Sequence, residues 1–451
     1  MSLNIVLSGL GQVGSHLAQV LAREGHNLVA IDSDPDRCRE VDDSLDIKVL
    51  PGQAGDCRVL EQAGIARADM MIAATGDDET NVLACAMAAR YGVRQRIARI
   101  RNPEHFDRPP RFTLADWGVD LAIQPEVETA KEIVMLVKRS AATDVLQFAG
   151  GRVQLIGVRI DATCPLVHKT LEAVGNDHPD KVFRVVAILR GATTIIPGGR
   201  DTLQNRDQLF VIAAAADVPG IISLLGKSDE KLKQIMILGG GRVGRSTARL
   251  LDREKDLSIK LIDADAGRTQ ELADELRRTL VIHGDGRDFN ILATEGIMDT
   301  DALISATDDE EINILTCLLA KHLGVTKTIA LVNRREYLPL MAPIGVNAAV
   351  NTNLVTSNVI LRLIRRGDVV SLATVAGLDA QAVEYLTHAD SRITRKPLSK
   401  VSFPKGAIVG AVIRGDKVLI PVGDTRIQPG DHVIVFSLPA AMAEIDRLFA
   451  S

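Results

Sequence analysis

Two glycine-rich runs have the spacing that holds a pyrophosphate, and each is followed by an aspartate. In the first, Gly9-x-Gly11-x-x-Gly14, the aspartate is Asp32, 18 residues after the last glycine. Glycines at these positions let the backbone turn tightly from a strand into a helix, so a pyrophosphate can rest on the positive end of that helix. The carboxylate then accepts hydrogen bonds from ribose hydroxyls. The pattern predicts a nucleotide site, whereas glycines alone would serve any strand-to-helix turn.

The second run, Gly239-x-Gly241-x-x-Gly244, meets the same conditions independently, because Asp263 ends the next strand 19 residues on. An aspartate at this position disfavours a 2′-phosphate, so NAD(H) or an adenine nucleotide is expected rather than NADP. Arg37 and Arg268 follow the two aspartates closely in the chain and would weaken the preference against a 2′-phosphate. We expect both arginines to be solvated residues at helix starts.

Carboxylates follow two later strands, in Thr75-Gly76-Asp77-Asp78-Glu79 and Thr307-Asp308-Asp309-Glu310-Glu311. They could bind a metal ion, but acidic residues in a first helical turn more often cap free backbone amides and favour the helix dipole. We therefore predict helix caps. Thr75 and Thr307 follow parallel strands at the end that faces the ligand crevice, which makes them candidates for contacting the nucleotide.

The two sites are predicted to differ in charge. Arg99 and Arg101 end a later strand near the first site, whereas the second has Leu331 in place of Arg99. Arg99 either contacts nucleotide or forms a surface ion pair. The second glycine loop carries Arg242 where the first has Gln12. An arginine beside the phosphate cradle is a forked cationic donor, so the second site is expected to favour a more anionic ligand such as ATP or ADP.

Both glycine runs lie in segments where short apolar runs alternate with helical stretches, which predicts βαβ units on a parallel sheet. Apolar stripes at helical spacing follow at Val127–Val137 and Leu354–Ile364 and predict crossover helices. Beyond them, residues 145–215 and 369–437 contain short strands and turns. In the first module the apolar runs are Asn4–Leu7, Leu28–Ile31, Ile47–Leu50, Met70–Ala73 and Arg96–Ile100.

The chain repeats itself at offsets of 229 to 232 residues, which indicates duplication of a whole module. Asn81 and Cys85, for example, return as Asn313 and Cys317, and we expect both cysteines to be core residues. The predicted fold class is α/β: two tandem Rossmann-like, doubly wound parallel-sheet N-lobes, each followed by a small α+β C-lobe. The expected boundaries are 1–122 (first N-lobe), 123–144 (crossover helix), 145–226 (first C-lobe), 227–234 (linker), 235–350 (second N-lobe), 351–368 (crossover helix) and 369–451 (second C-lobe).

The composition favours a soluble α/β protein that does not bind nucleic acid. Hydrophobic residues make up 46% and aromatic residues only 3%, so the cores must consist of Val, Ile, Leu and Ala, as in buried parallel strands. A formal charge of −5 and the absence of a long basic run disfavour nucleic acid. Five scattered cysteines without a CxxC pair indicate a reducing cytosol. No stretch approaches ~18 uncharged apolar residues, so a membrane role would require a partner.

Further motifs give the chain a resemblance to a known family over nearly its whole length. It resembles the tandem RCK (regulator of potassium conductance) proteins of Trk potassium uptake, the TrkA family. The resemblance implies a cytosolic regulatory subunit that binds NAD(H), ATP or ADP and assembles into a ring, expected to be a tetramer. It also implies docking on a Trk-type potassium-transporting subunit at the cytosolic face of the cell membrane. The motifs are Gly9-Leu10-Gly11-Gln12-Val13-Gly14, Asp77-Asp78-Glu79-Thr80-Asn81, Arg96-Ile97-Ala98-Arg99-Ile100-Arg101 and Gln428-Pro429-Gly430-Asp431-His432-Val433-Ile434.

The same resemblance implies the residues of two binding sites. Site one would comprise Gly9, Leu10, Gly11, Gln12, Val13, Gly14, Asp32, Gln53, Thr75, Gly76 and Arg99. Site two would comprise Gly239, Gly240, Gly241, Arg242, Val243, Gly244, Asp263, Asp285 and Thr307. No catalytic residue and no metal ligand is assigned, and the chain is predicted not to be an enzyme.

Two other functions stay open at this point. Glycine runs followed by an aspartate are most common in dehydrogenases, so an NAD-dependent oxidoreductase is one alternative. The short C-lobes, however, offer no obvious His, Lys or Tyr acid–base pair beside a substrate pocket. A regulator of a cation/proton antiporter is the other alternative, since it would share the fold and differ only in its partner.

Overall fold

The computed structural model describes residues 2–23, 25–107, 109, 111–191, 193–364, 369–375, 378 and 380–450. Its first N-lobe is a six-stranded parallel sheet in the order β3-β2-β1-β4-β5-β6, with helices between the strands. The strand order reverses between β1 and β4, and ligands bind at the carboxyl ends of strands beside such a switch point. The elements are β1 (Asn4–Ser8), α1 (Gln12–Arg23), β2 (Asn27–Asp32), α2 (Pro35–Ser44), β3 (Lys48–Pro51), α3 (Cys57–Gln62), β4 (Met70–Ala73), α4 (Asp78–Arg90), β5 (Gln95–Arg99), β6 (Leu121–Ile123) and α5 (Pro125–Lys138).

The first C-lobe is a five-stranded antiparallel sheet in the order β10-β9-β11-β8-β7, with two short helices. Its strands are rich in Val, Ile and Leu, which suits a pleated surface packed on one face. The elements are β7 (Asp144–Phe148), β8 (Val153–Arg159), α6 (Leu171–Asp177), β9 (Phe183–Arg190), β10 (Thr193–Ile195), β11 (Gln208–Ala214) and α7 (Val218–Leu224).

The second N-lobe repeats the first, with a parallel sheet in the order β14-β13-β12-β15-β16-β17. The switch point lies between β12 and β15, which correspond to β1 and β4. The elements are β12 (Gln234–Leu238), α8 (Arg242–Leu251), β13 (Ser258–Asp263), α9 (Ala266–Glu275), β14 (Thr279–His283), α10 (Phe289–Thr294), β15 (Ala302–Ser305), α11 (Glu310–His322), β16 (Lys327–Leu331), α12 (Leu338–Ile344), β17 (Ala348–Val350) and α13 (Thr352–Leu363).

The second C-lobe completes the duplication with an antiparallel sheet in the order β18-β19-β22-β20-β21. Buried side chains of both C-lobe sheets, such as Phe210 and Phe436, belong to one hydrophobic core. The predicted fold class is therefore confirmed in both modules. The elements are β18 (Val369–Thr374), β19 (Gln381–Leu386), β20 (Ala407–Arg414), β21 (Lys417–Leu419), β22 (His432–Ser437) and α14 (Met442–Phe449).

Two compact units divide the chain, one with residues 1–128 and 352–367 and the other with residues 129–351 and 368–451. Helix α13 thus belongs with the first N-lobe, where it packs against α1. Gln95 Nε2, at the start of β5, donates to the Leu363 carbonyl at the end of α13, over 3.3 Å. In the other unit Lys327, at the start of β16, donates to the carbonyls of Ser140, over 3.2 Å, and Ala142, just beyond α5. Each crossover segment is therefore held by the other module's N-lobe.

Candidate nucleotide-binding sites

The glycine loop of site one forms one wall of a cavity of about 430 Å³ at the carboxyl ends of β1, β2 and β4. Gly9 has a φ of +90°, and a Cβ there would lie 2.7 Å from the backbone of Thr75, so only glycine allows the loop to meet the β4–α4 turn. A Cβ on Gly11 would meet only the Arg37 guanidinium, at 3.9 Å. Gly11 therefore leaves open the space through which a pyrophosphate can approach the backbone.

Asp32 is the acceptor that this cavity offers to a ribose. Its side chain is 8% exposed, and Oδ2 accepts a hydrogen bond from Leu10 N at 2.5 Å. Oδ1 accepts from Asp34 N at 2.8 Å. Each oxygen keeps a second lone pair, so the carboxylate is oriented by the two loops and can still accept hydroxyl hydrogens. These residues fit a nucleotide with a free ribose.

Asn81, on α4, fixes the loop that carries Thr75. Its Oδ1 accepts from Thr75 N at 2.9 Å and from Thr75 Oγ1 at 2.7 Å, and its Nδ2 donates to the Arg99 carbonyl at 2.8 Å. Asn313 makes the same three bonds in site two, to Thr307 and Leu331. These asparagines are completely or almost completely buried. Neither asparagine was predicted to belong to a site, although their recurrence in both modules was a usable signal.

One acidic residue after β4 and one after β15 cap the following helices, as predicted, whereas Asp78 and Glu310 accept backbone hydrogen bonds from the loops after β5 and β16. Asp77 accepts a hydrogen bond from Thr80 N at 2.7 Å, and hydrogen bonds from Thr80 lower the pKa of its carboxyl. Asp309 accepts from Ile312 N at 3.0 Å at the start of α11. In the described part of the chain, no group of three or more His, Cys, Asp or Glu side chains is arranged to hold a metal ion.

Most residues predicted for site one line the same cavity. They are Gly9, Gly11, Gln12, Val13, Asp32, Gln53, Thr75, Gly76 and Arg99. Leu10 and Gly14 do not line it: the first contributes its backbone N–H to Asp32, and the second packs against the Gly9 carbonyl. Arg37, Arg101 and Asn353 line the cavity without having been assigned to the site. Asn353 lies on α13, so the second module contributes a residue to site one.

Site two surrounds a smaller cavity of about 250 Å³. Gly239, Gly241, Asp263, Asp285 and Thr307 line it, and a Cβ on Gly241 would meet nothing within 4 Å. The other predicted residues, Gly240, Arg242, Val243 and Gly244, do not line it. Gly240 N instead donates to Asp263 Oδ2 at 2.6 Å. Arg242 is the first residue of α8, and it is exposed.

Arg268 differs from its counterpart Arg37 and contradicts the prediction that both arginines are solvated. Its Nη1 lies 3.0 Å from Oδ2 of Asp263, and the hydrogen bond to Asp263 raises the pKa of Arg268. Arg37 pairs instead with Asp34, at 3.4 Å, and its side chain is 53% exposed. The spacing from the first aspartate to the arginine is the same in both modules. A long arginine side chain can nevertheless reach either of the two aspartates that precede it. An arginine therefore neutralises the negative charge of Asp263 in site two. In site one, Arg37 does not pair with Asp32 in this way.

The two cavities also differ in total charge. Three arginines and two aspartates line site one, a formal +1, and four aspartates and two arginines line site two, a formal −2. Asp285 is further engaged by Arg287, whose hydrogen bonds lower the pKa of that carboxyl to about 2. The cation-rich lining therefore belongs to site one.

Cys85 and Cys317 are core residues, as predicted. Both are fully buried at matching positions of α4 and α11, and burial raises the pKa of each thiol to about 12. None of the helices in the ranges given above is long and apolar enough to cross a membrane.

Comparisons with known proteins agree with this arrangement. The TrkA-N domain family matches residues 5–125 and 235–352, and the TrkA-C domain family matches residues 155–226 and 382–450. The Trk system potassium uptake protein TrkA homolog 2 of Methanosarcina mazei is 35% identical, covering 98% of this chain and 99% of the relative. TrkA of Halomonas elongata is 34% identical, covering 99% and 98%.

Solved structures share the fold at lower identity. A crystal structure of the GsuK RCK domain has a TM-score of 0.58 and 19% identity, covering 100% of this chain and 95% of that one. A GsuK channel bound to NAD has a TM-score of 0.59 and 20% identity, covering 100% and 79%. The domain matches fall on both modules, and the relatives align from end to end. This chain therefore belongs to the TrkA family of Trk-system potassium uptake proteins, with tandem TrkA-N and TrkA-C domains.

Proposed function

We propose that this protein is a nucleotide-sensing regulatory subunit that binds NAD(H) or an adenine nucleotide in each N-lobe and gates a Trk-type potassium transporter. The observation that carries the proposal is the presence of two cradles, each with an open second glycine and a buried aspartate, in a member of the TrkA family. GsuK, which shares the fold, is known in structures bound to NAD and to ADP. The protein would act at the cytosolic face of the cell membrane through its partner.

Charge supports different ligands at the two sites. The cation-lined cavity of site one, with Arg99 and Arg101, suits the more anionic ligand, ATP or ADP. Site two lacks both arginines, its lining is acidic, and Arg242 is not one of its lining residues. This assignment reverses the preference suggested by Arg242 in the sequence, and NAD(H) is the ligand we propose for site two.

Helix α13 offers a physical route from a bound ligand to the rest of the assembly. It begins beside the cavity of site one, at Asn353, and its last carbonyl accepts a hydrogen bond from Gln95 of the same N-lobe. A ligand shifts an equilibrium between two states only by the difference in its affinity for them. A ligand that contacts Asn353 in one position of α13 and loses it in another would provide such a difference.

Exposed apolar side chains at equivalent positions of both N-lobes support assembly into a ring. Leu83 on α4 and Leu315 on α11 are 47% and 65% exposed. Trp117 and Ile344, which precede β6 and β17, are 43% and 46% exposed. Apolar patches that recur on related lobes are typical of self-association, and we propose that these faces join neighbouring N-lobes in a tetrameric ring.

Flux measurement with a co-reconstituted Trk-type membrane subunit tests the proposal. NAD(H), ATP and ADP should change potassium flux by about 5- to 150-fold, the range of typical allosteric couplings. Asp32→Ala and Asp263→Ala should each remove part of that response, and Asp256→Ala, away from both cavities, serves as a matched control. Nucleotides that bind in calorimetry yet leave flux unchanged over a wide concentration range would reject gating.

Two further assays separate the alternatives. Turnover of NADH with simple carbonyl substrates by the purified chain would show an oxidoreductase and reject a purely regulatory role. A nucleotide response with a cation/proton antiporter, absent with the Trk-type subunit, would assign the protein to the antiporter instead.

A further inference from the structure

Two adjoining cavities lie between the first C-lobe and the second N-lobe, inside the second compact unit. One, of about 260 Å³, has an apolar wall that includes Leu338, Met341 and Val346. The other, of about 520 Å³, is lined by polar and basic groups. Neither shares a lining residue with the nucleotide cavities. The two chambers have four lining residues in common: Thr143, Arg159, Arg206 and Asn347.

Two arginines stand where the chambers meet. Arg159 ends β8 and Arg206 lies in the turn before β11. Burial lowers the pKa of the Arg159 guanidinium, and the neighbouring charge of Arg206 lowers it further. Within the described residues, neither guanidinium forms an ion pair. Among these residues, the pair of like charges has no compensating anion of its own.

The carboxylates that line the chambers are held by other groups. Asp161 pairs with Lys227 in the polar chamber. Asp144, beside the apolar chamber, accepts from Thr143 Oγ1 at 2.7 Å and from Gln208 Nε2 at 3.0 Å. Burial raises the pKa of Asp144 to about 6, so this carboxyl is still mostly ionised at neutral pH. The chambers therefore present more positive charge than their own acids neutralise.

In the second module, the turn equivalent to the one that contains Arg206 carries no arginine. Arg206 N donates to the Ile160 carbonyl at 3.1 Å, and the equivalent Gly430 N donates to the Thr387 carbonyl at 2.8 Å. Gly430 has a φ of +85°, natural for glycine, but Arg206 has a φ of +72°, in the left-handed region that costs energy for a residue with a Cβ.

Arg159 is likewise specific to the first module. In the matching register, Gln208 of β11 pairs with Arg159, and His432 of β22 pairs with Leu386. The first module thus carries arginines where the second has leucine and glycine, one of them at a backbone position that disfavours it. Strained conformations of this kind concentrate at ligand sites.

We propose that the two chambers form a third ligand site, for a small organic phosphate. Its phosphate group would lie on Arg159 and Arg206, whose forked donors match phosphate oxygens. The side-chain amide of Asn347 would supply a further hydrogen bond. The compact apolar body of the ligand would occupy the chamber beside Met341. A mostly apolar pocket with a few convergent polar groups is the usual form of a small-molecule site.

Calorimetry of the full chain with phenyl phosphate, inorganic phosphate and phenol tests the site. Phenyl phosphate should bind saturably and at least tenfold more tightly than inorganic phosphate, and phenol should not bind. Arg159→Leu and Arg206→Gly, which install the residues of the second module, should each weaken phenyl phosphate at least tenfold. That factor corresponds to about 1.4 kcal/mol. Arg206→Gly should also keep or raise the midpoint of thermal unfolding, because it removes the strained backbone.

Matched variants identify where the probe binds. Ala342→Leu should weaken phenyl phosphate and leave inorganic phosphate unchanged, because a larger side chain at this half-buried position fills only the apolar chamber. Arg37→Leu and Arg268→Leu alter the two nucleotide cavities and should leave phenyl phosphate unchanged. Loss of binding in those variants, with none in Arg206→Gly, would place the probe in the nucleotide sites and overturn the proposal, as would the absence of saturable binding. Neither result depends on whether nucleotides gate a transporter.

Discussion

The ammonium of Lys327 is fully buried, which should make the stability of the second compact unit depend on pH. Burial lowers the pKa of Lys327 from its ordinary 10.5 to about 7, although the charges of Asp144 and Asp229 oppose the shift. Between these two values the folded protein binds fewer protons than the unfolded chain. The free energy of unfolding therefore rises with pH across this window. As the pH falls to below about 7, this increase in stability is lost.

The size of the effect follows from the shift. A difference of one bound proton changes the free energy of unfolding by about 1.4 kcal/mol per pH unit. Lys327 is about half protonated in the folded protein near pH 7, so the gain from about pH 7 to pH 9 is about 2 kcal/mol. Lys327→Gln installs the residue that the first module has at Gln95. It keeps a donor for the Ser140 and Ala142 carbonyls but removes the titration, so the variant should lack this gain.

Urea denaturation of wild type and Lys327→Gln at about pH 7, 8 and 9, followed by circular dichroism, measures the difference. Titrating groups that do not interact with Lys327 cancel when the two proteins are compared. The single tryptophan, Trp117, lies in the other compact unit, so its fluorescence should give the same midpoint in both proteins. Lys138→Gln removes a lysine whose side chain is 57% exposed and should keep the wild-type slope. Equal slopes in wild type and Lys327→Gln would refute the reasoning.

Three further predictions concern the two modules. Asp32→Ala and Asp263→Ala should each remove one of two nucleotide-binding events in calorimetry while the circular dichroism spectrum stays unchanged; a single event in the wild type would contradict this. Arg99→Leu, which gives site one the residue of site two, should weaken ATP about tenfold and NAD(H) less, because a charged hydrogen bond is worth ~1.5–3 kcal/mol; equal losses would exclude a role in selectivity. Asp207→Asn should lower the free energy of unfolding by about 2–4 kcal/mol in urea titrations. The carboxylate of Asp207 is 1% exposed and would lose its ion pair with Arg190. The loss is limited because the arginine can still reach water.

Periodicity and repetition predicted most of the fold, because the parallel strands are continuous apolar runs. The run Met70–Ala73 has the bounds of β4, and all four residues are buried. Strands β6 (Leu121–Ile123) and β17 (Ala348–Val350) were not predicted. Three residues are too few to show alternation, and these strands form only because β5 and β16 already present an edge to pair with.

The two proposed nucleotide sites were predictable as far as they depend on the backbone. Gly9 and Gly11 must be glycine because of contacts and space that the motif itself encodes. The direction of long side chains is not encoded in spacing: Arg268 pairs with Asp263, while Arg242 is exposed. Asn353 could not have been assigned to site one, because it reaches that cavity only through the packing of α13 on the first N-lobe.

The duplication separates residues that maintain the scaffold from residues that distinguish the modules. In both C-lobes a buried aspartate binds an arginine of the central sheet: Asp207 accepts from Arg190, and Asp431 from Arg414, at 2.7 to 2.8 Å. Both modules keep this ion pair because it fixes the turn that contains the aspartate, and each C-lobe needs that turn. Differences occur instead beside cavities: Arg206 lines both chambers of the proposed third site, and its counterpart is a glycine. If the third site binds its phosphate, the modules use one fold for different ligands. If it does not, the strain at Arg206 has no compensating contact, and Arg206→Gly should simply give a more stable protein.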